Sequence, residues 1–590
     1  MSQLFFQENF LMGGACSLKR DYSADGYGLH RGISGMYFKC GYSKERRASV
    51  HSNSGCPPQG GSCPSLMELC IYKIRQEIHK YTSFYMLPRD ISQLIFNDLA
   101  SCHALSDCSI KAFRDCALQD ICLADYPGVR DSWMDVITSQ GSSLLTIQLS
   151  SSGLTDVGLA QLKNCSNLQA LLFDRFDNVS EHGLKQLDGC LSNLAYLGFI
   201  KSNALTREGM QALSSLFNLE KLDFDRCPRI HGGLVHLKGL TKLKSLKIRC
   251  CKCITDSDME SLAGLINLKE LQISSVNITN IGVSYLEGLS NLISLTVEGC
   301  NVTASCLDPI SALISLQHLD LNRCSLSDDG FDLISAFRHL KVLNLGFNDV
   351  TDACLVHLKG LTRLESLNLD STRVGDGGLA NLVGLQGLRK LHLSDTEVGS
   401  EGLRHLSGLT NLEEINLAFT SVTDGGLEKL SQLTNLKSLN LDAPQITDHG
   451  LEMLTGLTEV THLDLFGAHI SDSGVNCLSY FKNLQSLDLC GGKLTDAGVK
   501  NIKYLTSLMI LNLSQNLDLT DTALKFISGL VALVCLNVSY SRITNEGLEY
   551  LKPLKNLSSL YLDFCNVTGS GIRKLQSKFL PSLVRFRPEC

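Results

Sequence analysis

Aromatic residues are scarce in this chain: they fill 6% of 590 positions, with a single tryptophan, so the 44% hydrophobic content rests mainly on leucine. No stretch approaches the roughly 18 consecutive apolar residues of a membrane-spanning helix, so none is expected. Positive charge is not in surplus either. The 53 Lys and Arg face 60 Asp and Glu, a formal charge of −7, whereas a general nucleic-acid binder carries a basic excess. No nucleic-acid partner is expected. The opening residues MSQLFFQENFL lack the basic start and apolar core of a secretory signal. The 24 cysteines lack the tight spacing of a disulfide framework, so free thiols in a reducing compartment, cytoplasm or nucleus, are expected. No G-x-S-x-G elbow or Walker loop occurs, and His236, His357 and His405 recur at equivalent places, so neither catalysis nor a cofactor is expected.

What is present is repetition. An L-x-x-L-x-L unit begins at Leu144, Leu168, Leu194, Leu219, Leu243, Leu268 and Leu292, recurs every 24 residues from Leu316 to Leu508, and closes at Leu533 and Leu557. That makes 18 units and a truncated one at Leu583. In Leu436-x-x-Leu439-x-Leu441 the alternation of a short strand turns leucines inward and the residues between them outward. Thr447 then suits a helix N-cap, Asp448 places negative charge in the first turn, and Leu451, Leu454 and Leu457 form one buried stripe. One unit cannot bury its apolar face, but a stack can. The expected fold is therefore an α/β leucine-rich-repeat solenoid over 141–590, a horseshoe with a concave parallel sheet and convex helices. Leu391 and Leu439 are expected to be fully buried in separate turns of it. Cys227, Cys251, Cys300, Cys324 and Cys565 stand eight residues after the first leucine, where Asn348, Thr372, Thr396, Thr420 or Asn516 stand in other units.

Ahead of the array, residues 1–65 hold ten glycines and no apolar periodicity and read as a disordered tail. Residues 66–140 read as helical. Leu87-Pro88-Arg89-Asp90-Ile91 runs on to Ile95-Phe96 and Leu99, with Ile91, Ile95 and Leu99 on one face. A second helical run carries Leu105, Ile110, Phe113 and Cys116, and Leu118-Gln119-Asp120-Ile121-Cys122-Leu123 reads as a third.

The repeats resemble the cysteine-containing class of leucine-rich repeat, and LPxxI…IFxxL with its following helices is similar to an F-box. Together they resemble the F-box/leucine-rich-repeat family, close to its plant members. The resemblance implies a substrate-recognition subunit of an SCF-type cullin ubiquitin ligase, non-catalytic itself. A Skp-type adaptor and cullin would join through Leu87, Pro88, Ile91, Ile95 and Phe96. The usual tryptophan in the middle of the box is missing; Trp133 lies beyond it. The competing reading makes 66–140 a helical cap on the open end of the solenoid. An F-box leaves Leu87, Pro88, Ile91 and Ile95 partly exposed, whereas a cap buries them against Leu144 and Ile147.

On the concave wall, Arg175, Lys201, Lys221, Arg226, Lys247 and Arg249 face only Asp174, Asp223 and Asp225, while Asp370, Asp395, Glu414, Asp442, Asp464 and Asp488 make the far part acidic. The basic part, units 2 to 5, is expected to take a phosphorylated or acidic protein client, or an anionic cofactor. Phe347, Phe419, Phe466, Tyr540 and Phe564 fall beside a polar ladder running from Asp320 and Asn344 to Asn537, and exposed aromatics edged by polar groups suit client binding. The alternative function is a non-ligase interaction scaffold, tethered to a membrane only if Met12 initiates and Gly13 and Cys16 are lipidated. Arg46-Arg47-Ala48-Ser49 is a weak phosphorylation motif. Cys250, Cys251 and Cys253 near Cys227 lack paired knuckles, so no metal is expected.

Overall fold

A computed structural model describes residues 65–124, 126, 128–150 and 153–587. They belong to a unit spanning 42–590. The readings placed on Gly13, Cys16, Arg46–Ser49 and the tail lie outside the described residues.

Twenty parallel strands, counted among the described residues, form one open sheet. Leu343, Leu367, Leu391, Ile415 and Leu439 pair directly from strand to strand. This continuous row is buried, with Leu391 at 0% and Leu439 at 1% exposure. The chain between strands returns through short α-helices and 3-10 turns rather than long helices; Asp448–Met453 is one example. Thr447 caps it by accepting from the His449 N–H.

The sheet starts earlier than the repeat count suggests. Leu118–Leu123, expected as helix, contains strand β1 (Asp120–Leu123), which pairs with β2 (Thr146–Ser150), aligning Ile121 with Ile147 and Leu123 with Leu149. The hexad Leu118-x-x-Ile121-x-Leu123 is itself a repeat opening, and its alternation wins over helix propensity because the sheet edge can bury it. Trp133 belongs to the following helix α3 (Asp131–Thr138), buried, with its indole N–H donating to Asp107 at 2.7 Å. The expected second helix reduces to a 3-10 turn at Ser109–Phe113.

Among the described residues two α-helices precede the sheet. Helix α1 (Leu66–Gln76) opens on a capping box formed by Ser65 and Glu68, and α2 (Arg89–Ser101) starts straight after Pro88. Ile95, Phe96 and Leu99 of α2 are wholly buried, and Phe96 meets Phe113 edge-on at 5.3 Å. Gln93 supplies what a neighbouring strand would have supplied. Its Nε2 donates to the Asp120 carbonyl at 2.7 Å, and its Oε1 accepts from the Gln119 and Asp120 N–H groups at 3.0 and 3.1 Å. An uncovered strand edge leaves such groups open to other chains.

Successive units are joined by a carboxylate. Asp472 accepts from both the N–H and the hydroxyl of Thr495 in the next unit, at 2.9 and 2.6 Å, and Asp424 does the same for Thr447. The helix residue three places past such a threonine is commonly glycine: a Cβ on Gly450 would stand 2.3 Å from Asp424 Oδ1. One junction is inverted. Gly232, at φ +70°, stands where the aspartate belongs, and Asp258 of the next unit reaches back to the Gly232 N–H at 2.6 Å and His231 Nδ1 at 2.8 Å.

The varied residue eight places after the first leucine has one task, donation to a backbone carbonyl just past a strand. Cys324 Sγ reaches Val297 O at 3.1 Å, Asn348 Nδ2 reaches Leu321 O at 2.8 Å, and Thr372 Oγ1 turns to Leu369 O at 2.7 Å. Thiol, amide and hydroxyl substitute for one another because each leaves no buried donor idle. Burial pushes the Cys300 thiol up to about 11, as suits an inert core cysteine.

Candidate functional site

The sheet face away from the helices divides in two. From β2 through β3 (Ala170–Asp174), β4 (Tyr196–Ile200), β5 (Lys221–Asp225), β6 (Ser245–Arg249) and β7 (Glu270–Ser274) the strands run five residues. Farther on they run three, as in His318–Asp320 and Val342–Asn344. In most of these short strands the polar ladder closes the pairing; Thr296, His392 and Tyr561 hold its place in others. Asp320 accepts from the Asn322 N–H at 3.0 Å, Asn344 from Gly346 at 3.1 Å, and Asn416 from Ala418 at 3.1 Å. Each side chain takes a backbone donor two residues on and closes the strand in an Asx turn. The ladder is structural: Asn344, Asn368, Asp464, Asn512 and Asn537 are all buried. Burial also raises the Asp320 carboxyl to about 6.

On the longer strands the six basic residues do not form an open positive patch. Lys247 meets Glu270 at 3.0 Å, Arg249 and Arg226 lie 3.6 and 3.8 Å from Asp225, and Arg175 lies 3.6 Å from Asp174. Strands about 4.8 Å apart bring acids of adjacent rungs within reach, and Glu270 is the acid that the expectation of a basic site left out. Lys221 is half-buried, with burial pulling its pKa down. Tyr196 donates to Asp223 at 3.1 Å; burial, then the Asp223 charge, pushes the phenol pKa up. Burial likewise raises the Asp223 carboxyl. Only Lys201 and Arg226 of the six stand exposed.

Seven residues past the first leucine nearly every unit turns through left-handed backbone. Arg175, Lys201 and Arg226 occupy this corner at φ 55°, 50° and 54°, and so do Phe347, Phe419, Tyr540 and Phe564 at 59°, 56°, 58° and 57°. Phe466 does not; Gly467 holds that corner at φ +71°, and the ring sits one place earlier, half-buried. For a side-chain-bearing residue this conformation costs about 1–2 kcal/mol, which glycine avoids at Gly299, Gly467 and Gly491. Phe347, Phe419 and Phe564 are nonetheless 40%, 55% and 76% exposed. Arg323 lies 4.2 Å over the Phe347 ring, and Tyr540 stacks on Phe564 at 4.4 Å. Beside these corners His392 is held between Asp370 at 3.7 Å and Glu414 at 3.3 Å. Burial pulls the imidazole pKa down, but the two carboxylates overrule it and carry it up to about 9. The bond from His392 leads the causes that bring Glu414 down to about 2.

The residues expected to meet an adaptor split by depth. Leu87 is 37% exposed, Pro88 is exposed and Ile91 half-buried, but Ile95 and Phe96 are at 0%. The expectation of partial exposure therefore fails for Ile95, and neither Ile95 nor Phe96 is available for docking, because both pack into the core covering the sheet end. Leu94, at 47%, is the exposed apolar residue of α2, and Tyr85 and Met86 before the helix are exposed too. Leu94 lies three residues after Ile91 on α2, a helical spacing legible in the sequence but passed over.

The family "Leucine-rich repeat region" matches residues 321–588, and "Leucine Rich repeat" matches 239–263. Among solved structures the chain is similar to an internalin of Listeria monocytogenes (24% identity over 57% of this chain and 90% of that one, TM-score 0.44). It is similar to a leucine-rich-repeat protein of Leptospira interrogans (22%, 68% and 97%, 0.47). A third is the ectodomain of a plant membrane receptor kinase from Arabidopsis thaliana in complex with Casparian strip integrity factor 2 (16%, 83% and 71%, 0.37).

Proposed function

We propose that the chain is the substrate receptor of an SCF-type cullin ubiquitin ligase, with the repeat array as a protein-interaction scaffold and the outer side of α2 as the dock for a Skp-type adaptor. The carrying observation is that apolar residues stay outside at the start of α2. Ile95, Phe96 and Leu99 are buried, yet Met86 and Leu87, just before the helix, and Leu94 on it stay 89%, 37% and 47% exposed. Contiguous exposed apolar residues on a soluble surface mark a contact site. The receptor would hold a client on the open sheet face and act by proximity, without catalytic groups of its own. A cytoplasmic or nuclear location goes with this reading.

A second reading, a non-ligase scaffold, is favoured by one specific observation: the segment expected as the third helix of the box is the strand Asp120–Leu123. Membrane tethering through Gly13 and Cys16 belongs to that reading. The test uses the full chain, immobilised and offered a purified Skp-type adaptor. The wild type should retain adaptor, and Leu87→Asp with Leu94→Asp should lose it at unchanged melting temperature. An intact chain that retains none would leave the scaffold reading, and a double variant that still retains it would remove the assigned surface.

A further inference from the structure

We propose that the open sheet face from His318–Asp320 onward holds a lysine- and arginine-rich segment of a protein client. The inference rests on the reading of the array as a client-binding scaffold and names the chemistry of what is bound. It reverses the sequence expectation, in which an acidic client docks on β3 to β6.

Along residues 316–564 the outward strand position Asp488, the left-handed corner Asp395, and Asp370, Asp442 and Asp563 in the short link between strand and corner supply carboxylates, while the cations at strand positions and corners are Arg323, Lys390 and the protonated His392. Lys390 is taken by Glu414 at 2.7 Å and His392 by Asp370 and Glu414. Arg323 lies over Phe347. The net field on this face is negative, and carboxylates on a shared face raise the local concentration of cations. On β3 to β6, by contrast, acids and bases neutralise each other within the network of Asp174, Asp225 and Glu270.

Charge alone does not choose between a small cation and a peptide. The aromatic corners do. Phe419 and Phe564 present exposed rings at one edge of the acidic face. Arg323 seated 4.2 Å from the Phe347 ring centroid is an intramolecular instance of a guanidinium on such a corner, and Lys552 over Phe579 at 4.2 Å shows the same affinity for an ammonium. A chain carrying several basic side chains at strand spacing can place some heads on carboxylates and others on rings. A small monatomic cation in water keeps its hydration shell and gains little from an exposed ring, nor can one ion span carboxylates and rings together, and an acidic segment is repelled by the face. Charge complementarity and ring position thus point to one occupant, an extended basic segment.

The test uses the full-length chain and two fluorescent twelve-residue peptides, one with alternating Arg and Lys among Ser and Gly, the other with Glu at every basic position. Fluorescence anisotropy reads the affinity at 50 and 300 mM NaCl. The basic peptide should bind, with a Kd rising at least tenfold between the two salts, and the acidic peptide should not. Asp395→Lys with Asp442→Lys should weaken binding at least tenfold at 50 mM. Lys201 shows that a lysine fits the left-handed corner of Asp395. Phe419→Ala with Phe564→Ala should weaken it at least fivefold and flatten none of the salt dependence. Urea midpoints establish that each variant is folded, and either folded pair decides the matter. Equal binding of both peptides, no binding of the basic one, or charge-reversed protein binding like wild type would overturn the proposal. Adaptor retention is read on the same preparations. A chain that retains adaptor but ignores the basic peptide loses only this inference, and one that binds the peptide but retains no adaptor loses only the ligase reading.

Discussion

Removing the Asp472 carboxylate should show how much one inter-unit rung contributes. Asp472→Ala deletes two bonds to Thr495, at 2.9 Å from its N–H and 2.6 Å from its hydroxyl. Hydrogen bonds to a charged group contribute about 1.5–3 kcal/mol each when buried. Because Asp472 and Thr495 are half-buried, water replaces part of that, and a loss of about 2–3 kcal/mol is expected for the pair. The molecule contains two internal controls. Asp352 serves only the Gly375 N–H, at 2.7 Å, because glycine has no hydroxyl. Asp352→Ala should therefore cost about half as much. Asn545 and Asn280 occupy the rung position elsewhere and still accept from the next threonine N–H at 3.1 and 2.9 Å. Asp472→Asn should accordingly cost under about 1 kcal/mol. The assay is urea unfolding followed by far-UV circular dichroism, with hydrogen exchange on peptides spanning Thr495. In a linear array the loss falls on one interface, so faster exchange should be confined to the two flanking units. If Asp472→Ala lay within 0.5 kcal/mol of wild type, or if Asp352→Ala cost more than Asp472→Ala, the rung would not be a coupling element and the reasoning would collapse.

Two further outcomes are expected. His392 has its folded pKa raised to about 9 from 6.5, so the stability from its charge is full below pH 6.5 and drains away as pH climbs through 9. The urea midpoint of wild type should exceed that of His392→Gln at pH 6, with the gap closing by pH 9.5; a gap that is constant with pH would contradict the ion-pair assignment. Gln93→Ala strips the edge strand of its three substitute bonds. Amide exchange at Gln119 and Asp120 should rise at least tenfold while exchange around Leu439 stays unchanged, and equal protection in both proteins would mean that α2 covers the edge by packing alone.

The repeating part of the fold was legible because its signal is periodic: Leu391 and Leu439 are buried in adjacent-register strands as their phase demanded. The opening unit was not, because Leu118-x-x-Ile121-x-Leu123 follows residues that read as helical, and its short apolar run suits helix or strand equally. What chose was the long-range pairing with Thr146–Leu149. The open face was half legible. Residues that would face outward could be read from the alternation, but not their partners, since Lys247 and Glu270 lie on different units and meet only across the sheet. Nor does any sequence rule reveal that Phe419 and Phe564 would be set in left-handed backbone. The buried fate of Ile95 and Phe96 depended on a sheet end whose starting strand had been taken for helix.

The inverted junction at Gly232 and Asp258 bears on how such an array can be built by copying its own segments. Most units present the same pair of faces, a carboxylate toward the following neighbour and a hydroxyl or amide toward the preceding one, so a duplicated or deleted unit finds a compatible seam on either side. Here the carboxylate arrives from the following unit instead. Splicing an ordinary unit in front of Asp258 would set two carboxylates against one another, and splicing one behind Gly232 would leave the His231 and Gly232 donors facing no acceptor. The two units flanking this seam can therefore be inherited, moved or multiplied only as a block.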